Sequence, residues 1–369
     1  MRTWHLLTGE YPPLSGGVGD YTRMLAGELA RRGHSVHVWC PSVASNAAQG
    51  PIHLHALPDR FRARSREVLQ SAWDALPGIV LLQYVPNALG AGGMNLRFCR
   101  WLRAAAGHHD VRVMFHEPYF YFSWSPTGNL RAVAQRLMAA ELLHAGRTIY
   151  FSTDTWRRYL KAPTPPIVLP VPSTIPRSCD SEAAARRRTH VAINGEPEVV
   201  GHFGTYGDHI ARELESVVPL VLGARSSAQF VFIGRGSDRF AAAMRARHGT
   251  LSARIHDTGV LSSMDVAAAI RACDVMVQPY PDGITTRRTS AMASLTNGVA
   301  TISTAGALTE AVWSETGAVA LARDGRAITE KVVALLESAS ERAALAAAGR
   351  RVYDERFAIE KSVDALLGS

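Results

Sequence analysis

The chain predicts an α/β protein with two parallel-sheet domains, on three observations. Apolar segments of strand length alternate with amphipathic helical segments along the 369 residues. A proline-rich stretch splits that alternation in two, and a glycine-rich loop follows the first strand. Strands alternating with helices build a parallel sheet covered on both faces. The length is more than one hydrophobic core comfortably serves.

In the first half, strands are expected at Thr3–Thr8, Ser35–Cys40, Ile79–Gln83, Val111–Phe115, Thr148–Phe151 and Ile167–Val171. Helices are expected near Asp20–Arg32, Met94–Ala106 and Asn129–His144. The stretch between Gly50 and Gly93 shows no readable pattern beyond the Ile79 strand. Six prolines between Lys161 and Pro176 forbid helix and favour extended chain. A charged, alanine-rich piece, Glu182–His190, reads as the rest of a linker. The second alternation runs through EVVGHFG, QFVFIG, ARIHDTG, DVMVQPY, VATIST and AVALA, and a late helix closes the chain. The expected domains are 1–175, a linker 176–195, 196–350, and a returning helix in 351–369.

Composition narrows the class. No apolar run is long enough to span a bilayer, and the first strand is too short for a secretion signal. A soluble, cytoplasmic protein is expected. Cys40, Cys99, Cys179 and Cys273 are scattered, which implies neither a zinc site nor a disulfide framework. The net charge of +8 suits an anionic ligand or surface. Lysine occurs only at Lys161, Lys331 and Lys361, and arginine supplies the remaining positive charge. Arginine forks match phosphate oxygens in pairs, although a codon bias toward arginine and alanine accounts for much of the excess.

Gly16, Gly17 and Gly19 lie between the first strand and the helix opening near Asp20. Glycine lets backbone N–H groups approach a ligand, and a helix N-terminus favours negative charge. The loop reads as a seat for a phosphate, a carboxylate or a polar sugar, or as a tight turn with no ligand. It is not the dinucleotide fingerprint, because Thr22 stands where the third glycine belongs. Open parallel sheets bind ligands beyond the carboxyl ends of their strands, and two such domains facing each other make a cleft.

The segment EYPPLSGGVGDYTRMLAGELARRGHSVHVW resembles the opening of family 4 of the retaining glycosyltransferases. FVFIGRG and the run from IHDTG to STAGALTEAV follow that family's order of elements. The resemblance covers Thr3 to about Val319. It implies the GT-B fold: two Rossmann-like domains facing across a cleft, with a C-terminal helix crossing back to the first. It implies a retaining hexosyltransferase using a nucleotide-diphosphate sugar as donor substrate, with no separate cofactor. The acceptor is a carbohydrate, a lipid-linked molecule or a small molecule, and no nucleic acid is expected as a partner.

Residue by residue, Gly16 and Gly17 match the loop near the donor diphosphate and acceptor. His116 matches a strand-end histidine that contacts the donor sugar. Asp282 stands at the first of two family glutamates eight positions apart and is assigned to the donor sugar. Ser290 stands at the second, which holds the ribose. Gly283, Ile284 and Thr285 belong to the same donor loop, and Gly204 and Thr205 to the loop after the first strand of the second half. His202 and Asp208 fall near the family's phosphate-binding arginine and lysine. Arg287 and Arg288 are therefore expected to supply the phosphate charge. Glu310 matches a structural glutamate. No Asp-x-Asp cluster sits in a suitable loop, so metal independence is expected.

The losses at Ser290, His202 and Asp208 motivate an alternative, a non-catalytic sugar- or nucleotide-binding relative. A pyridoxal-phosphate phosphorylase of similar architecture is disfavoured by the positions of the three lysines. Asp59–Trp73 and Arg97–Arg103 are basic with interspersed apolar residues. They read as solvated helix faces with buried stripes, or as peripheral contacts with the inner face of the membrane.

Overall fold

The computed structural model describes residues 1–14, 16–41, 47–120, 122, 124–178, 180–190 and 198–368. It contains two compact units: Met1–Val171 with Ile359–Ser369, and Pro172–Ala358.

Unit 1 holds strands β1 (Thr3–Leu7), β2 (Ser35–Cys40), β3 (Ala47–Gln49), β4 (Ile52–Ala56), β5 (Ile79–Tyr84), β6 (Asp110–Phe115), β7 (Thr148–Phe151) and β8 (Ile167–Val168). They form one sheet in the order β3-β4-β2-β1-β5-β6-β7-β8, parallel except for β3. The chain winds from β1 outward to β2, then returns to β5, so a switch point lies between β1 and β5. Helix α1 (Gly17–Arg31) covers one face. Its Tyr21, Leu25 and Leu29, spaced four apart, are all buried. Burying each leucine stabilises by about 2–3 kcal/mol, which a 15-residue helix needs because it is marginal alone. The helix stops at Gly33, whose φ of 82° suits a glycine there. Helices α2 (Ala63–Ala75), α3 (Leu96–Ala105) and α4 (Pro126–Ala145) cover the other face.

Two departures from the sequence reading matter most in this unit. The stretch after Gly50 forms β4 and α2. Helix α4 starts three residues early because the Ser125 hydroxyl accepts the Gly128 N–H at 3.3 Å. In the two basic stretches Phe61, Leu69, Trp73, Phe98 and Leu102 are packed in the core, as the buried stripes of helix faces, while Val68 is exposed.

Unit 2 begins with α5 (Ser181–His190). The expected linker thus carries a ten-residue helix, tied to this unit by ion pairs from Arg187 to Asp265 (2.7 Å) and Arg188 to Asp274 (2.8 Å). Cys179 and residues 191–195 of that linker lie outside the described residues. The division between units falls after Val171 rather than after residue 175.

Strands β9 (Glu198–Phe203), β10 (Ala228–Ile233), β11 (Ile255–Asp257), β12 (Val275–Gln278), β13 (Ala300–Thr304) and β14 (Ala320–Ala322) form a sheet in the order β11-β10-β9-β12-β13-β14. Every pairing is parallel. The switch point lies between β9 and β12. Helices α6 (Asp208–Ala224) and α7 (Ser237–Arg247) follow β9 and β10, and α8 (Ser263–Arg271) and α9 (Thr289–Thr296) follow β11 and β12. After β13 come α10 (Ala311–Thr316), α11 (Gly325–Glu337) and α12 (Ala339–Val352). The last helix, α13 (Ile359–Leu367), belongs to unit 1, where Val363 and Leu366 pack in the same cluster as Tyr21 and Leu25. Arg112 donates to the Leu366 carbonyl at 2.8 Å, and Arg32 pairs with Asp364 at 2.6 Å.

Candidate functional site

In unit 1 the loops after β1 and β5 close over the switch point. A Cβ on Gly9 would lie 2.3 Å from the Cβ of Ala88, so only glycine permits this approach. The helix N-terminus expected to seat a ligand is filled by the chain itself. Glu10 Oε1 accepts the N–H groups of Val18 (3.1 Å) and Gly19 (3.2 Å). A Cβ on Gly16 would fall 2.2 Å from that oxygen, so Gly16 makes room for Glu10, while Gly17 has open space beside it. A carboxylate at this position neutralises the helix dipole and satisfies two orphan donors. Glu10→Ala is expected to lower unfolding stability by about 1 kcal/mol, read as a lower urea midpoint with an unchanged slope. An unchanged midpoint would mean the contact carries no weight.

His116 lies just past β6, only 6% exposed, with its ring edge-on to Tyr21 at 5.1 Å. The amide oxygen of Gln83, at the end of β5, can only accept, so His116 Nε2–H donates to it at 2.6 Å. Gln83 Nε2 is buried without a partner. His116 therefore sits at a strand end as expected, and its Nε2–H is held inside unit 1.

Unit 2 gathers more of the expected residues. His202 is at the end of β9, fully buried, and its Nδ1 is 2.9 Å from the Val277 carbonyl oxygen. A carbonyl only accepts, so Nδ1 carries the proton. Burial pushes the imidazole down to about 4, which keeps it neutral at pH 7. Its Nε2 is thus a lone pair, and it has no partner. At the position matched to a family cation, this chain presents an acceptor.

Gly204 lies beside that lone pair. A Cβ there would be 3.3 Å from His202 Nε2 and 3.9 Å from Ser290 Cβ. The Gly204 N–H itself is taken by the Ile233 carbonyl at 3.3 Å, so it is not among the expected ligand donors. Thr205 is exposed on the loop leading to Gly207, the N-cap of α6, which has no side-chain cap.

Ser290 hydrogen-bonds the Tyr280 hydroxyl at 2.8 Å. The Arg288 guanidinium lies over the Tyr280 ring, 4.5 Å from its centroid, and its Nε is buried without a partner. Arg287 is half-buried in the same turn. Gln278, at the end of β12, donates to Ser294 at 3.5 Å and leaves its Oε1 unpartnered.

The donor loop is fixed by two devices. Gly283, with φ 93°, meets Gly306 so closely that a Cβ would lie 2.6 Å from the Gly306 nitrogen. The Glu310 carboxylate accepts both the N–H of Thr286 and its hydroxyl. Glu310 is therefore a structural anchor. Ile284 is fully buried, Thr285 Oγ1 is buried without a partner, and Asp282 is exposed on the turn.

Buried polar groups normally find partners, and each exception asks for a reason. Four orphan atoms, His202 Nε2, Gln278 Oε1, Thr285 Oγ1 and Arg288 Nε, belong to the strand ends and loops around the β9/β12 switch point. Doubly wound sheets take their ligands at such a place. Sequence reasoning named Thr285 and Arg288. It missed Gln278, Tyr280 and the acceptor role of His202, and it missed Glu10.

Two doubly wound α/β units, with the last helix returning to the first, define the GT-B class of sugar-transferring proteins. Two family models match the chain: one described as Glycosyltransferase Family 4 over residues 15–171, the other as Glycosyl transferases group 1 over residues 197–338. The chain belongs to these glycosyltransferases. Solved structures agree in fold. A sucrose-phosphate synthase from Thermosynechococcus elongatus is 15% identical, with a TM-score of 0.72 over 100% of this chain and 98% of that one. Anabaena Alr3699/HepE in complex with UDP is 12% identical, with a TM-score of 0.67 over 100% of both. An α,α-trehalose-phosphate synthase (UDP-forming) from Burkholderia vietnamiensis is 12% identical, with a TM-score of 0.68 over 100% of this chain and 98% of that one. No curated protein matches by sequence.

Proposed function

We propose that the protein transfers a hexose-type sugar from a nucleotide-diphosphate donor to an acceptor, with retention of configuration and without a metal. The observation that carries this reading is the set of orphan polar atoms at the β9/β12 switch point. A nucleotide sugar offers partners of both kinds. Its hydroxyl or N–H groups suit the lone pairs of His202 Nε2 and Gln278 Oε1, and its phosphate oxygens suit Arg288 and Thr285. The uncapped N-terminus of α6 and the start of α9 add backbone donors for the diphosphate.

When the glycosidic bond to phosphate breaks, negative charge builds on the leaving diphosphate. In this reading Arg288, Arg287 and the helix N-termini stabilise it. Asp282 orients the sugar, and the acceptor oxygen attacks from the face the phosphate leaves, its proton passing to the departing phosphate. The complexes of Alr3699/HepE with UDP and UDP-glucose support a nucleotide donor for this fold.

A non-catalytic binding relative is the second reading, favoured by the neutral His202 where the family has a cation. Calorimetric titration with UDP, GDP, ADP and dTDP in the presence of a chelator tests the donor site. Clear binding of one nucleotide is expected. Binding by none, in folded protein, overturns transfer from a donor with any of these four bases and favours a relative that binds sugar alone. Binding without release of nucleotide from any matching sugar donor selects the second.

A further inference from the structure

Helix α4 is apolar on two sides. Its inner side, with Met138, Ala139 and Leu142, belongs to the core of unit 1. Its outer side carries Leu130, Val133 and Leu137, which are 64%, 45% and 50% exposed. Spacings of three, four and seven put these on one stripe. Glu141, one turn further along, reaches Arg100 and Arg103 of α3, so the stripe runs on the side toward α3. Just before the helix, Phe120 and Phe122 are about half exposed and Trp124 fully so. Arg136 ties this loop to α4: its guanidinium lies 4.2 Å from the Tyr119 ring centroid and 4.1 Å from that of Phe122, and it donates to the Phe120 carbonyl. Folding gives no reason for an outward apolar stripe beside an outward tryptophan, and contiguous exposed patches of this kind mark contact surfaces.

We propose that this face docks on an anionic lipid surface. The charge around it selects that occupant. Arg97, Arg100 and Arg103 of α3 and Arg131 and Arg136 of α4 are opposed by Glu141 as the sole acid of the two helices. Apolar side chains ringed by arginine, with a tryptophan at the edge, match the boundary between acyl chains and anionic headgroups. Among the described residues no helix is long and apolar enough to cross a membrane, so the contact is peripheral. The earlier stretch Arg97–Arg103 thus contributes its arginines, while its Phe98 and Leu102 stay in the core. Docking here is independent of the sugar-transfer reading, because vesicle binding is measured without donor.

The test is flotation with vesicles of phosphatidylcholine alone and of phosphatidylcholine mixed with phosphatidylglycerol, at low and high salt. The protein is expected to float with the mixed vesicles at low salt and to leave them as salt rises. The triple variant Trp124→Ser, Leu130→Ser, Leu137→Ser is expected to lose at least about tenfold in partitioning. Arg97→Gln and Arg131→Gln are expected to lose about fivefold each. All five side chains are exposed, so melting temperatures should match the parent and report that the variants fold. Absence of binding to mixed vesicles, or binding unchanged in the triple variant, overturns the proposal. A dimer in solution that the triple variant dissolves overturns it in favour of a second copy of this chain.

Discussion

Stability is expected to fall steeply between pH 6.5 and 5, before most carboxylates titrate. Three histidines carry the effect. His5, His55 and His202 are each held at about 4 in the folded protein, first by burial. His5 Nε2–H donates to the Leu76 carbonyl at 2.9 Å, and its Nδ1 accepts the Trp39 indole N–H at 3.2 Å. A second proton on His5 breaks the Trp39 bond. His37 Nδ1 and His55 Nε2 share one proton across 2.9 Å, and His37 stacks on His53 at 4.8 Å. Charging this cluster sets like charges side by side.

In the unfolded chain the same groups titrate near 6.5. Above that pH both states are neutral and the full stability is present. As pH falls, the unfolded chain binds protons first, and stability drops until the folded values are reached near 4. Each fully buried group then costs up to about 1.4 kcal/mol per pH unit, with half-buried His55 contributing less. Urea midpoints at pH 7, 6 and 5 measure the loss. Paired carboxylates such as Glu28 and Glu198 are held below their usual range by arginine and act only at lower pH. A midpoint that stays flat from pH 7 to 5 contradicts the expectation, and His55→Gln should reduce the slope.

Arg288→Ala is expected to weaken nucleotide binding between tenfold and a hundredfold. A charge-assisted hydrogen bond to phosphate contributes about 1.5–3 kcal/mol. The Arg288 Nε has no partner within the protein, so its removal breaks no native hydrogen bond at that atom, and the melting temperature should shift little. Arg288→Lys is expected to recover only part of the affinity, because an ammonium has no planar fork to stack on Tyr280. Calorimetric titration of both variants checks this. Unchanged affinity in the Arg287→Ala, Arg288→Ala double variant removes these arginines from the phosphate site.

The alternating fold was legible because β1, β2, β5, β6 and β7 are apolar runs bounded by polar turns. Strand β4 was not, because the alternation in IHLHA is only five residues long and buries one side chain fully, Leu54. Helix α5 read as linker because its ten residues carry almost no apolar stripe, and distant Asp265 and Asp274 hold it instead. In the site, donor-loop positions were readable from their order along the chain. The filling of the α1 N-terminus by Glu10 was not, because it depends on the loop folding back across Gly16. The polarity of His202 was hidden for a similar reason. The carbonyl that sets its tautomer is on β12, 75 residues away.

Because α13 completes the face of α1, unit 1 is finished by residues that follow all of unit 2 along the chain. Until α13 emerges from the ribosome, Tyr21 and Leu25 lack Val363 and Leu366, and Arg112 lacks the Leu366 carbonyl. Unit 2 must be synthesised in full before unit 1 closes, so a nascent chain carries an unsealed apolar face while Pro172–Ala358 is made. Deleting Ile359–Leu367 would wound the unit that begins with β1.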